Sequence, residues 1–227
     1  MDQDVKNKGS WNERAKRARD IFYKFIWFFI KNCSTVIVLS KEQITDALTF
    51  SHDKLAAKRA AKDAGYVLTE NGTGDPINAE LRGDNGYLAE KALEFALNTA
   101  GIMVQMDKQI SSDSRLHAGA DFVFTIGERS YRLGCKASHG CNAPVISRNI
   151  HKYPQAVCYV QPQEDGSCKV YICGVAYPKI LNDERNRSDD GIIDTNMLDR
   201  KTAFIGFKWL TPWNTYISRI LEQSKAS

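Results

Sequence analysis

Apolar residues recur at helical spacing in two stretches of the chain. In Ile21–Ile30 they are Ile21, Phe22, Phe25, Ile26, Phe29 and Ile30; within 86–98 they are Leu88, Ala89, Ala92, Leu93 and Ala96. Helices are therefore expected over 11–31 and 86–98. The β-branched run Thr35–Leu39 reads as a short strand or buried linker. Ser40 with Gln43 three residues on has the form of a capping box, which opens a helix to about Leu48. Ser51-His52-Asp53 reads as the start of another helix, Lys54–Ala64, ended by Gly65. Two short helices joined by a tight turn make either plain helical packing or a helix-turn-helix, in which Lys54, Lys58, Arg59 and Lys62 would face phosphates.

After Asn71-Gly72-Thr73-Gly74-Asp75-Pro76, which lacks periodicity and reads as a linker, the pattern changes to short strands. These are Ile102–Ile110, Ala120–Ile126, Tyr131–Ala137, Ala156–Gln161, Lys169–Ala176 and Thr202–Trp209. Helices are expected at Ala143–Lys152 and Trp213–Gln223, and Ile126-Gly127-Glu128-Arg129 is a hairpin signal. The reading is a helical region over 1–70 and an α/β domain over 71–227, with a mixed central sheet and flanking helices.

Composition narrows this only a little. The chain has 227 residues, 43% hydrophobic, and Lys+Arg 31 against Asp+Glu 27 gives a net charge of +4, which permits an acidic partner such as nucleic acid without demanding one. The start, Met1-Asp2-Gln3-Asp4, has no apolar core behind it, so the expected compartment is the cytoplasm and the six cysteines are expected to be reduced. No Cys-x-x-Cys pair occurs, and Cys135, His139 and Cys141 lack a fourth zinc ligand. Ile21–Ile30 falls well short of the roughly 20 apolar residues a membrane span needs. It reads as a helix docked on protein; a basic amphipathic helix lying on a membrane is the alternative, because Arg14, Lys16, Arg17 and Arg19 precede it. No P-loop, dinucleotide fingerprint or G-x-S-x-G elbow is present.

Three residues carry candidate chemistry. Stepping about 100° per residue places Glu90 at the edge of the apolar helix face and Glu94 further toward solvent. Asp121 opens Asp121-Phe122-Val123-Phe124, at a strand start where a hard oxygen ligand suits Mg²⁺. In Tyr131–Ser138, Leu133, Cys135 and Ala137 share one strand face, and Arg132, Gly134, Lys136 and Ser138 the other; the hairpin brings Lys136 toward Asp121. Ser138, His139 and Asn142 follow the Lys strand, where they read as turn chemistry or as phosphate contacts, and Gln155, before the next strand, is placed to face the site.

A helix Glu (Glu90), a strand Asp (Asp121) and a Lys closing the next strand (Lys136) together resemble the PD-(D/E)XK nuclease core, over about Gly86–Gln161. The resemblance implies an αβββαβ restriction-endonuclease-like core and a Mg²⁺- or Mn²⁺-dependent endonuclease of restriction or defence type that hydrolyses DNA, with no small-molecule cofactor and with a homodimer left open. It implies that Asp121 and Glu90 hold the metal and that Lys136 positions water and stabilises the transition state. The chain departs from the family's pattern at Gly134, which stands where the second strand acid belongs, and at Ala120, which replaces the proline before the strand Asp. Three accounts of Gly134 follow: Glu90 supplies the missing carboxylate, Asp113 or Glu128 has taken it over, or the domain binds nucleic acid without cutting it. An assembly or membrane-peripheral role through 21–30 is a separate alternative.

Overall fold

The computed structural model describes residues 35–63, 76–104, 120–139, 145–146, 152–181, 187–188, 202–204 and 209–225. The expected 11–31 helix and the 71–75 part of the linker lie outside them. From Thr35 onward the chain belongs to one compact unit. Its element order is β1 (Thr35–Leu39), α1 (Lys41–Asp63), α2 (Pro76–Thr99), β2 (Phe122–Ile126), β3 (Arg129–His139), β4 (Val145–Ile146), β5 (Gln155–Pro162), β6 (Cys168–Ala176), α3 (Pro178–Leu181), β7 (Arg187–Ser188), β8 (Thr202–Phe204) and α4 (Trp213–Lys225). A five-stranded mixed sheet has the order β1-β6-β5-β3-β2, and β4, β8 and β7 form a small second sheet. The architecture is mixed α/β with flanking helices.

Sequence chemistry accounts for the main elements. The Ser40 hydroxyl accepts from the Gln43 N–H at 3.2 Å and the Gln43 side chain accepts from the Ser40 N–H at 2.8 Å, so the capping box forms as read. The β2–β3 hairpin turns at Gly127 and Glu128, and Gly127 has φ +60°, a conformation the tight primed turns require and a side chain resists. β3 and β5 run parallel, so the chain must cross over between them. Leu88, Ala89, Ala92, Leu93 and Ala96 of α2 pack with Phe122, Leu133, Ala156, Val170 and Ile172 of the sheet and with Trp213, Tyr216 and Ile220 of α4 in one core.

Three expectations are corrected. Lys41–Asp63 is one continuous helix through Ser51–Asp53, so no helix-turn-helix forms there; the second cap loses to uninterrupted backbone hydrogen bonding. Thr35–Leu39, read as a short strand or a buried linker, is a strand at the sheet edge, paired with β6. Val145–Ile146 is a strand paired with β8 within the stretch expected to be helical, where partner pairing overrides a weak local pattern. Ile102–Val104 has no strand structure, and Ile102 instead plugs the core at 3% exposure.

Glu94 also differs from its expected solvent-facing position. It is buried at 9% exposure and pairs with Lys91 at 2.8 Å, while Lys91 reaches Asp46 of α1 at 2.7 Å. Burial works against the Lys91 charge, but the hydrogen bonds to Asp46 and Glu94 outweigh it and raise the ammonium above its ordinary value. Lys91→Met removes the ammonium that bridges Glu94 and Asp46 and is expected to cost about 2 kcal/mol, discounted because Asp46 is partly solvated. Because the folded-state value is raised, this contribution is complete below the unfolded lysine value of about 10.4 and fades as pH rises through the higher folded one. Urea melts of the two proteins at pH 7 and above pH 11 should show the gap narrowing only in alkali.

Candidate active site

Asp121 directly precedes Phe122, which pairs with Leu133, so Asp121 stands beside Gly134 at the start of the β2–β3 pairing. Its Oδ2 accepts the Cys135 backbone N–H at 2.5 Å. That bond fixes the carboxylate and replaces a ladder hydrogen bond where β2 begins. A carboxylate has about four lone-pair sites, so acceptor capacity remains.

Glu90 lies on α2 one turn beyond Tyr87, half-buried at the rim of the apolar face. The charges of Glu90 and Asp121 both reach Tyr87, adding to burial to push its phenol far above the ordinary value. Both also reach Cys135, whose thiol is held protonated by its hydrogen bond to Cys158, then by burial, then by these carboxylates. Two groups on different elements thus feel the same pair of acids, and helix Glu and strand Asp share one electrostatic neighbourhood.

Lys136 sits two residues along β3 from Gly134, opposite Val157 and partly buried. It makes no ion pair with either acid among the described residues. Ser138 and His139 end β3, but their side chains lie outside the described residues, as do Asn142 and the side chains of Lys58, Arg59 and Lys62 on α1. Glu128 is excluded as the replacement acid. It is exposed in the hairpin turn, six positions from Gly134 along β3 and hence about 20 Å away. Asp113 lies outside the described residues.

The other side of Gly134 is occupied by Gln155. The two are register partners on β3 and β5, and the Gly134 N–H donates to the Pro154 carbonyl at 2.9 Å. A Cβ at Gly134 would lie 2.2 Å from Gln155 Oε1 and 2.5 Å from Nε2, so the carboxamide fills the space where a side chain at 134 would begin. Gln155 is only 2% exposed, and its Oε1 has no hydrogen-bond partner among the described residues. Leaving such an oxygen unsatisfied costs about 1–3 kcal/mol. The row Asp121, Gly134, Gln155 crosses three neighbouring strands, with a bare glycine as its floor.

Beyond this row lies an open cleft of about 530 Å³. Arg132, Lys152 and Arg219 line it together with Tyr153, Tyr177 and Tyr216, and no carboxylate is among its lining residues. It lies within the field of Asp121: burial raises the Tyr153 phenol first, Asp121 raises it further and Arg132 opposes both. Sequence reading missed this cleft because Lys152 and Arg219 come from a loop and a helix far apart in the chain. The only available signal was the basic residue Arg219 on an otherwise strongly amphipathic helix.

The donors fit a hard divalent cation. Among the described residues no group of three or more His, Cys, Asp and Glu side chains could hold a metal. Mg²⁺ does not require one, because it commonly takes one or two carboxylates and completes its shell with water and substrate phosphate. Among the described residues no helix is long and apolar enough to cross a membrane. No model of a known protein family matches the chain, and no curated protein or solved structure matches it either.

Proposed function

We propose that this chain is a divalent-metal-dependent endonuclease that hydrolyses DNA phosphodiester bonds, with a restriction-endonuclease-like core. The observation that carries the reading is that Asp121 directly precedes β2 beside Gly134 of β3, two residues before Lys136, while α2, which bears Glu90, packs against β3. The order α2, β2, β3, β5, with β2 and β3 antiparallel and β3 and β5 parallel, supports the same reading. Asp121 and Glu90 would hold Mg²⁺ or Mn²⁺. Such an ion, when bound, supplies an activated water and offsets charge on the phosphate. Lys136, as an ammonium on the same strand face as Gly134, stabilises negative charge building on the phosphate oxygens and orients the attacking water. Arg132, Lys152 and Arg219 bind flanking phosphates, and the cleft tyrosines offer faces on which bases can stack.

Incubation of supercoiled plasmid with the protein and Mg²⁺ or Mn²⁺ should give nicked or linear DNA, and EDTA should stop it. Absence of cutting on DNA and RNA substrates, with DNA binding retained, would sink the enzyme reading. It would favour a second one, in which Gly134 marks a nuclease fold that has kept its phosphate cleft and lost its chemistry.

A further inference from the structure

We infer that the side-chain oxygen of Gln155 is a metal donor, replacing on β5 the acid that Gly134 removes from β3; this rests on the nuclease reading above. The two positions face each other in the parallel β3–β5 pairing. Glycine at 134 and the inward carboxamide at 155 are one steric arrangement, because any Cβ at 134 would overlap Oε1, Nε2 and Cδ of Gln155 at 2.2, 2.5 and 2.6 Å. A strand acid at 134 and this Gln155 conformation therefore exclude each other.

The oxygen is also buried without a partner among the described residues. Gln155 is 2% exposed and Oε1 accepts no hydrogen bond among the described residues. The amide nitrogen has a long contact, 3.4 Å, to the Tyr153 carbonyl, which favours the orientation that turns Oε1 the other way. Buried polar atoms are almost always satisfied, so an exception at the floor of a site points to a ligand that the described residues do not provide. Adjacent strands lie about 4.8 Å apart, so side chains from Asp121 on one flank and Gln155 on the other can converge over the glycine between them. A carboxamide oxygen is a hard, neutral donor of the kind Mg²⁺, Mn²⁺ and Ca²⁺ accept. With Glu90 and Asp121 it gives two charged donors and one neutral donor. The neutral oxygen leaves the ion more electrophilic toward phosphate, at the expense of affinity.

The test is Mn²⁺ binding to the full chain without nucleic acid, read from the loss of the free-ion electron paramagnetic resonance signal, beside a thermal melt of each variant. Wild type is expected to bind. Gln155→Leu, which keeps the volume and removes the oxygen, should weaken binding about tenfold or more with a melting temperature at or above wild type. Gln155→Glu should tighten it, and it guards the test should the leucine variant misfold. Gly134→Ala should weaken it by pushing the carboxamide aside. Unchanged Mn²⁺ affinity in Gln155→Leu and Gln155→Glu, with Asp121→Asn still impaired, would overturn the role of Gln155 and leave the nuclease reading standing. No binding by the wild type would overturn both.

Discussion

Asp121→Asn is expected to lower metal-dependent DNA cutting by about 10²–10³-fold while leaving the fold intact. The substitution is nearly isosteric, and the amide oxygen can still accept the Cys135 N–H that the carboxylate now accepts. What is lost is one negative charge at the proposed metal site, and a hydrogen bond that falls from charged to neutral at about 1 kcal/mol. Rate and stability should therefore separate: a large fall in kcat, and a urea midpoint close to wild type. If kcat is unchanged, Asp121 is there only to start the β2–β3 pairing, and the catalytic assignment fails. If both collapse, Asp121 is needed for the fold and the experiment must move to Glu90→Gln.

The largest expected effect on stability is at Gly174. Its φ is +141°, and a Cβ there would sit 2.7 Å from the Thr211 carbonyl oxygen and 2.9 Å from Leu210 Cβ. The oxygen belongs to backbone, which cannot rotate away as a long side chain can. The close approach has a purpose: β6 is bulged beside Gly174, and Val175 and Thr211 exchange two backbone hydrogen bonds at 2.8 and 2.9 Å, seating the chain just before α4. Gly174→Ala is expected to cost about 3–5 kcal/mol, from backbone strain and overpacking together. Against a typical total of about 5–15 kcal/mol, that is a large share of the stability. Because α4 carries Tyr216 and Arg219 into the basic cleft, DNA affinity should fall in step with the thermal melt. A melting temperature within about 2 °C of wild type would show that α4 is not held in this way. Gly86→Ala is the contrasting control. Nothing lies within 4 Å of a Cβ there and the site is helical, so the change should be neutral or stabilise by up to about 1 kcal/mol.

Local rules were enough for the parts of the fold whose cause is local. The Ser40–Gln43 cap, the Gly127 hairpin, the apolar face of α2 and the strands Gln155–Pro162 and Cys168–Ala176 all follow from spacing within a few residues. Reading failed where a distant partner decides. Ser51-His52-Asp53 has the composition of a helix start, yet α1 runs through it while packed on α2. Glu94 has the spacing of an exposed residue, yet Lys91 and the neighbouring helix bury it. Val145–Ile146 becomes a strand only because β8 lies beside it.

The candidate site divides in the same way. The sequence by itself picked out Glu90, Asp121 and Lys136 as candidates, from helix phase, strand position and strand alternation, and the resemblance to the nuclease pattern marked Gly134 as its interruption. Only the tertiary structure decided what stands in the gap. The parallel pairing of β3 with β5 brings Gln155, 21 positions further along the chain, over Gly134. The seating of α4 at Gly174 likewise closes a cleft from residues that no motif connects. Periodicity specifies a side chain's face; register and crossover specify its neighbours, and those are properties of the whole sheet.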